Sequence, residues 1–114
     1  MRYKLPTIVM RLQPKEINAI AQAARDAFTP GTAVFLFGSR VDDSKRGGDI
    51  DLLVEIPEVM PPAELVRRRT RFVSRIYRLL DEQRIDVVIA TQNQQDSREV
   101  VAAAKREGIQ VAQV

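Results

Sequence analysis

The segment from Asp49 to Ile56 alternates between apolar and mostly acidic side chains, and it constrains the fold more than any other feature of the sequence. Successive side chains of a β-strand point to opposite faces of the sheet, so the alternation predicts a strand. One face of this strand carries Ile50, Leu52, Val54 and Ile56, and the other carries Asp49, Asp51, Leu53 and Glu55. The chain is therefore expected to build a sheet with one apolar and one partly acidic face.

Helical and extended patterns follow each other along the rest of the chain. Apolar residues at helical spacing predict helices over Pro14–Phe28, over Ala63 to about Arg84, and over about ten residues that end at Gly108. Apolar runs predict strands over Ala33–Phe37 and Ile85–Ala90, and a short edge strand over Ile109–Val114. Asp96 and Glu99 suit a capping box before the last helix. We expect one α/β domain over residues 1–114, in which helices flank a sheet of three to five strands.

The second predicted helix carries most of the positive charge. Its apolar stripe is expected to consist of Val66, Val73, Ile76, Tyr77 and Leu80. Seven arginines and three acidic residues lie between Glu64 and Arg84. This basic surface has three interpretations: a solvated face, a nucleic-acid surface, or a docking face for an acidic partner. Phe72 and Tyr77 are its only aromatic residues, so stacking on bases has little support and nucleic acid is not expected as the primary partner.

The composition excludes several kinds of chemistry, because the chain contains neither Cys nor His. Disulfides, zinc fingers and catalytic groups that depend on His or a thiol are therefore absent. The remaining carboxylates, hydroxyls, Lys and Arg still suit hard cations such as Mg²⁺ or Mn²⁺. No apolar run approaches the roughly 20 residues that span a bilayer, and the apolar part of the first 14 residues is too short for a signal peptide. We expect a cytoplasmic location and no membrane association.

Two acidic side chains are predicted to lie close together on the polar face of the alternating strand. Asp49 and Asp51 are two residues apart, which places their Cβ atoms about 6 to 7 Å from each other. Like charges at this distance repel each other unless a proton or a cation intervenes. Divalent ions that contact both carboxylates would relieve the repulsion and hold a phosphate chain for in-line displacement.

A glycine and a serine follow the buried strand that ends at Phe37. Gly38 allows a sharp turn and a close approach to a ligand, and Ser39 offers a hydroxyl and N–H groups to an anion. Taken singly, a Gly-Ser turn or an Asp-x-Asp strand is more often structural than functional. Their combination, with the expected strand, turn and spacing, favours a site for phosphate and metal.

The same residues carry a family resemblance. The string LFGSR, nine further residues and GDIDLLVE resemble the signature of the DNA polymerase β nucleotidyltransferase superfamily, and the chain resembles its minimal, MNT-type members. The resemblance implies a nucleotidyltransferase fold, an α+β arrangement with a small mixed sheet. It implies that Gly38 and Ser39 hold a nucleoside triphosphate and that Asp49 and Asp51 bind two divalent ions.

The resemblance also points to a third carboxylate on a later strand, and Asp86 occupies the matching place. It would complete the metal site that activates the attacking hydroxyl. Glu55 is the alternative, although its position further along the strand than Asp51 makes it the less suitable residue. Arg40 adjoins the Gly-Ser turn, so we expect it to contact phosphate.

Two functions fit these residues. The first is transfer of a nucleoside monophosphate, most simply AMP from Mg·ATP, to a hydroxyl acceptor that the sequence does not identify. The alternative is a non-catalytic nucleotide-binding or antitoxin module that acts by complex formation with a helical, HEPN-type toxin, as the resemblance implies. Both can hold in one protein, since members of this family silence a toxin by modifying it.

Overall fold

The part of the chain that the structure describes contains three helices and four strands. This structure is a computed structural model, and it describes residues 12–38, 50–80 and 84–114. The elements are α1 (Pro14–Ala27), β1 (Ala33–Phe37), β2 (Ile50–Ile56), α2 (Pro62–Leu79), β3 (Ile85–Thr91), α3 (Glu99–Glu107) and β4 (Ile109–Gln113). None of the described helices combines the length and the apolar character that crossing a membrane requires.

The four strands form one mixed sheet in the order β3-β2-β1-β4. β1 pairs with β2 and with β4 in antiparallel orientation, whereas β2 and β3 are parallel. Parallel neighbours need a long crossover connection, which α2 supplies between β2 and β3. The predicted α+β arrangement with a small mixed sheet is therefore confirmed. The parallel pairing also brings the first residues of β2 and β3 to the same end of the sheet.

One face of the sheet packs against α1 and α2. Its strand residues include Val34, Leu36, Leu52 and Val54, all fully buried. The helices contribute Ile20, Ala23, Ala24, Phe28, Phe72 and Ile76 to this larger core. The rings of Phe28 and Phe72 meet edge to face, with centroids 5.3 Å apart, which joins the two helices above the sheet. The alternation of β2 is thus confirmed over Ile50–Ile56.

The opposite face carries a smaller core under α3. Phe37, Leu53 and Ala90 pack there against Val101 and Ala104 of the helix. Leu53 is the apolar residue among the acidic ones on this face of β2, and α3 covers it. Helix α3 therefore partly covers the acidic face of β2.

The predicted extent and apolar stripe of α2 were wrong in part. The helix ends at Leu79, and Leu80 is already extended, whereas the prediction continued to about Arg84. Val66 and Tyr77 were predicted to face the core, but their exposed fractions are 63% and 41%. Both lie about 80 to 100° around the helix axis from the buried Ile76. The inward positions are taken by Ile76, as predicted, and by Phe72, which was not in the predicted stripe.

The predicted capping box before α3 was also wrong. The helix begins at Glu99, its N-cap is Arg98, and no side chain caps it. Asp96 lies too early in the chain, and its carboxylate accepts hydrogen bonds from the backbone N–H of Arg98 at 3.0 Å and from the Arg98 guanidinium at 2.8 and 3.0 Å. Asp96 thus forms an ion pair with Arg98, two residues later, instead of capping the helix.

Candidate active site

Two carboxylates stand side by side at the beginning of the parallel strand pair. Asp51 of β2 is in register with Asp86 of β3. Residues in register on neighbouring strands point to the same face, and neighbouring strands lie about 4.8 Å apart. Asp51 is half-buried and Asp86 is exposed. The side chains before and after each of them, such as Ile50 and Leu52, point into the core on the other face.

The backbone just before these two carboxylates also takes part in the parallel pairing of β2 and β3. The N–H of Ile50 donates to the carbonyl of Arg84 at 2.9 Å, so the pairing starts one residue before the two carboxylates. A fixed register matters here because a shift of one residue would turn either carboxylate to the opposite face. The relative position of Asp51 and Asp86 therefore depends on the backbone rather than on side-chain flexibility.

Gly38 lies against the carboxylate of Asp51. Phe37 is the register partner of Asp51 on β1, so the chain turns away directly beside the carboxylate. Gly38 adopts a φ of 79°, in the left-handed region that favours glycine. A Cβ atom at this position would collide with Asp51 Oδ2 and lie 3.1 Å from Asp51 Cγ. The turn that sequence analysis linked to phosphate is thus in direct contact with one of the two carboxylates.

The structure therefore brings three of the six predicted site residues together: Gly38, Asp51 and Asp86. Ser39, Arg40 and Asp49 lie outside the described residues. Within the described ranges, no group of three or more His, Cys, Asp or Glu side chains is placed to hold a metal ion. The described part of the site consists of a carboxylate pair and a glycine turn.

The donor chemistry of this pair fits Mg²⁺ or Mn²⁺. Both ions prefer carboxylate oxygens and keep further positions for water or phosphate oxygens. The exposure of Asp86 and the half-burial of Asp51 leave room for such co-ligands. The chain contains no His or Cys, so the imidazole and thiolate ligands that many softer metals prefer are absent from it.

Glu55, the alternative third carboxylate, is far from the pair. It lies on the same face of β2, but four residues beyond Asp51, which corresponds to about 13 Å along the strand. Lys105 Nζ of α3 is 3.8 Å from Glu55 Oε2, so the carboxylate has a partner of its own. Of the two residues considered, Asp86 is the one that shares a site with Asp51.

One cavity of the described region lies near Glu55 and not at the carboxylate pair. It has a volume of about 580 Å³ and is lined by Phe35, Leu53, Glu55, Gln92, Asn93, Gln94, Lys105 and Gly108. Sequence analysis did not single out the amide residues after β3. Gln92 is structural, because its side-chain amide donates to the carbonyls of Gly31 at 2.8 Å and Glu55 at 3.1 Å. The left-handed φ of 60° at Asn93 marks a turn.

The sheet order and the carboxylate pair define the class of the protein as an α+β protein with a nucleotidyltransferase fold. A family model described as "Nucleotidyltransferase domain" matches residues 17–109. The chain belongs to this family. The match includes both strands that carry the acidic pair and the turn at Gly38.

Two solved structures show the same fold. The first is that of a tri-AMPylated Shewanella oneidensis HEPN toxin in complex with an MNT antitoxin; the similar chain has 21% sequence identity and a TM-score of 0.56, over 90% of this chain and 74% of that one. The second is the toxin-antitoxin structure MntA-HepT, with 20% identity, a TM-score of 0.54 and the same coverage. No curated protein sequence matches the chain significantly. The resemblance to minimal, MNT-type nucleotidyltransferases is confirmed.

Proposed function

We propose that the chain transfers a nucleoside monophosphate, AMP from ATP in the simplest case, to a hydroxyl group of an acceptor. The observation that carries this proposal is the register of Asp51 with Asp86 beside the turn at Gly38. The family membership supports it independently, because it rests on the sequence as a whole.

The carboxylates would hold the divalent ions. Asp51 and Asp86 present oxygen ligands from adjacent strands, and Asp49, two residues before Asp51, would add a third carboxylate. When bound, Mg²⁺ or Mn²⁺ would lower the pKa of the acceptor hydroxyl and stabilise the charge on the transferred phosphoryl group. The repulsion between neighbouring carboxylates favours binding of these ions.

The turn after β1 would hold the phosphates of the nucleotide. The contact between Gly38 and Asp51 supports this role, because the backbone of the turn lies beside the carboxylate and a phosphate chain could reach both. Ser39 and Arg40 follow directly and would donate hydrogen bonds to the β- and γ-phosphates. The leaving pyrophosphate would remain at this turn while the α-phosphorus is attacked.

Asp86 lies on the side from which an acceptor would approach. β3 is an edge strand, and the Asp86 side chain is exposed. A hydroxyl of a protein side chain, a small molecule or an RNA end could therefore come close to Asp86 without displacing other elements of the described region. We assign Asp86 to the activation of the acceptor hydroxyl.

Two measurements test the proposal. The first is the intact mass of the protein that co-purifies with the chain after co-expression. The second is an in vitro assay in which both proteins are incubated with labelled ATP and Mg²⁺. Addition of one or more AMP units to that protein is expected, and both Asp51→Asn and Asp86→Asn should abolish it. Glu55→Gln is the matched control, because it removes a carboxylate from the same face of β2 and should leave transfer unchanged. Transfer that survives in Asp51→Asn would refute the assignment.

A second candidate function is complex formation with a helical, HEPN-type protein, with or without catalysis. The two structural neighbours favour it, since both come from toxin-antitoxin structures. Relief of the partner's toxicity by the Asp51→Asn variant would indicate that binding alone is sufficient. Loss of relief in this variant, with the complex still formed, would indicate that modification is required.

A further inference from the structure

Helix α2 carries an apolar stripe of which only Val73 packs against the core. Val66 and Tyr77 have exposed fractions of 63% and 41%, and Val73, which lies between them, is half-buried. At 100° per residue, Val73 and Tyr77 each lie within about 20° of Val66 around the helix axis. The three side chains therefore form one line along three turns, beside the face that packs against the sheet.

A second line of side chains, made of arginines, runs parallel to this apolar stripe, about 100 to 140° around the helix axis from Val66. Arg67, Arg71 and Arg78 lie within about 40° of each other and are all exposed. None of the three forms an ion pair with another described residue. Arg68 and Arg75 lie on the other side of the arginine line and do form ion pairs. Arg68 Nε is 2.9 Å from Glu64 Oε2, and Arg75 Nε is 2.8 Å from Asp26 Oδ2. The positive charge of the exposed line is thus not neutralised within the described chain.

A shallow groove continues the apolar stripe toward the edge of the sheet. It has a volume of about 330 Å³ and lies between α2, the outer edge of β3 and the first turn of α3, where Val100 is 41% exposed. Two arginines cover the edge of β3. Arg69 Nε donates to the carbonyl of Val87 at 3.3 Å, and Arg98 Nη2 donates to the carbonyl of Ile89 at 2.8 Å. These contacts occupy the carbonyls that an added strand would need, so the edge does not favour β-augmentation.

We propose that this surface binds an amphipathic helix of an acidic partner protein. The α2 docking surface, as we define it, consists of Val66, Tyr77, Val100, Arg67, Arg71 and Arg78. Apolar side chains of the bound helix would pack on the valines and the tyrosine, as in helix-in-groove recognition, and its acidic side chains would face the arginine line. The inference does not depend on nucleotidyl transfer, since none of these residues belongs to the carboxylate site.

The charge and the apolar stripe of the α2 docking surface favour an acidic, amphipathic helix over two other occupants. A second copy of the chain would bring its own arginine line against the first, and like charges at an interface are unfavourable. Nucleic acid would be attracted by the arginines, but it would leave the apolar stripe without a matching surface. An acidic, amphipathic helix satisfies both lines at once.

Photo-crosslinking in the native host tests the proposal. The full chain would carry p-benzoylphenylalanine at Val66 or Tyr77, and at the exposed Gln22 of α1 as a control position. We expect a covalent adduct with one protein from Val66 and Tyr77 but not from Gln22. Mass spectrometry should place the crosslink on an acidic, amphipathic helix of that protein.

A pair of charge reversals provides the matched comparison. Arg67→Glu with Arg71→Glu should lower the yield of the adduct by about tenfold. Lys15→Glu with Arg25→Glu makes the same change of charge at two exposed positions of α1 and should leave the yield unchanged. Circular dichroism and the Tm of each variant establish that it is folded. The absence of an adduct, a crosslink to a second copy or to nucleic acid, or equal yields from both kinds of charge reversal would overturn the proposal. Because the readout is a crosslink, it is separate from the transfer of AMP.

Discussion

The Cα atom of Gly38 lies directly against the carboxylate of Asp51, so that any side chain at position 38 would meet Oδ2 of the aspartate. This contact joins the end of β1 to the beginning of β2. The neighbouring Asp86 is held at the same level by the parallel ladder. A turn, a half-buried carboxylate and an exposed carboxylate are therefore fixed to each other by backbone geometry, which is the form of preorganisation that a catalytic site needs.

Replacement of Gly38 by alanine should damage the site as well as the fold. The left-handed φ of 79° and the collision with Asp51 both oppose a Cβ atom, and we expect the free energy of unfolding to fall by about 1 to 3 kcal/mol. Transfer of AMP should be lost. Chemical denaturation and the labelled-ATP assay measure the two effects.

Gly31 provides the control for this experiment. It also has a left-handed φ, 97°, but a Cβ there would be 3.4 Å from Pro57, in ordinary van der Waals contact. In Gly31→Ala, the free energy of unfolding should therefore fall only because alanine disfavours the left-handed backbone conformation, and transfer activity should be kept. Equal activity in the two variants would show that the close contact of Gly38 with Asp51 has no functional importance.

Removal of the exposed carboxylate should separate metal binding from folding. Since Asp86 is exposed, Asp86→Asn is expected to change the free energy of unfolding in metal-free buffer by no more than about 0.5 kcal/mol. Mn²⁺ should raise the Tm of the wild-type protein, because a ligand that binds only the native state stabilises it, and this increase should be lost in the variant.

Thermal denaturation with and without Mn²⁺ tests this expectation, and Glu55→Gln is again the control. If Asp86→Asn keeps the full Mn²⁺ effect while Glu55→Gln loses it, the metal site lies further along β2 and our assignment is wrong.

The sequence was sufficient to predict the strands and the order of the elements. Short apolar runs and a strict alternation are unambiguous when proline or glycine borders them, as at β1 and β2. β3 has no such border, but it also lies where it was predicted. The end of α2 was harder to predict, since no glycine or proline marks it. The orientation of Val66 and Tyr77 depended on how α2 rotates against α1 and the sheet, which is a tertiary property.

The site was predictable only in its residue types and local spacing. The prediction that Asp49 and Asp51 share one face follows from a period of two, and of these two residues the structure describes Asp51. That Asp86 is the register partner of Asp51 depends on the parallel pairing of β2 and β3, and the sequence does not encode this register in any local pattern. The close contact of Gly38 is a further long-range relationship, although the glycine itself indicated a turn.

Two aromatic residues of α2 should differ sharply in their contribution to stability. Phe72 is fully buried and packs edge to face on Phe28, so Phe72→Ala should cost about 3 to 5 kcal/mol. Tyr77 is exposed, and Tyr77→Ala should cost less than about 1 kcal/mol. Urea denaturation of both variants measures the difference. Similar losses would mean that Tyr77 faces the core, as the sequence pattern had indicated, and would remove the apolar stripe from the α2 docking surface.

The stability of the protein at acid pH should depend on Asp96. Its hydrogen bonds with the side chain and backbone of Arg98 lower the pKa of the carboxyl from 3.8 to about 2. A group whose pKa is lowered in the folded state stabilises the protein above the unfolded pKa, and this contribution disappears as the pH falls through the folded value. Asp96→Asn should therefore lower stability at neutral pH and reduce the further loss between about pH 4 and pH 2.

Denaturation curves across this range test the expectation, with Arg98→Gln as the partner variant that should behave in the same way. Because Arg98 also donates to the carbonyl of Ile89, a change confined to Arg98→Gln would assign the stabilisation to the covered edge of β3 and not to the ion pair.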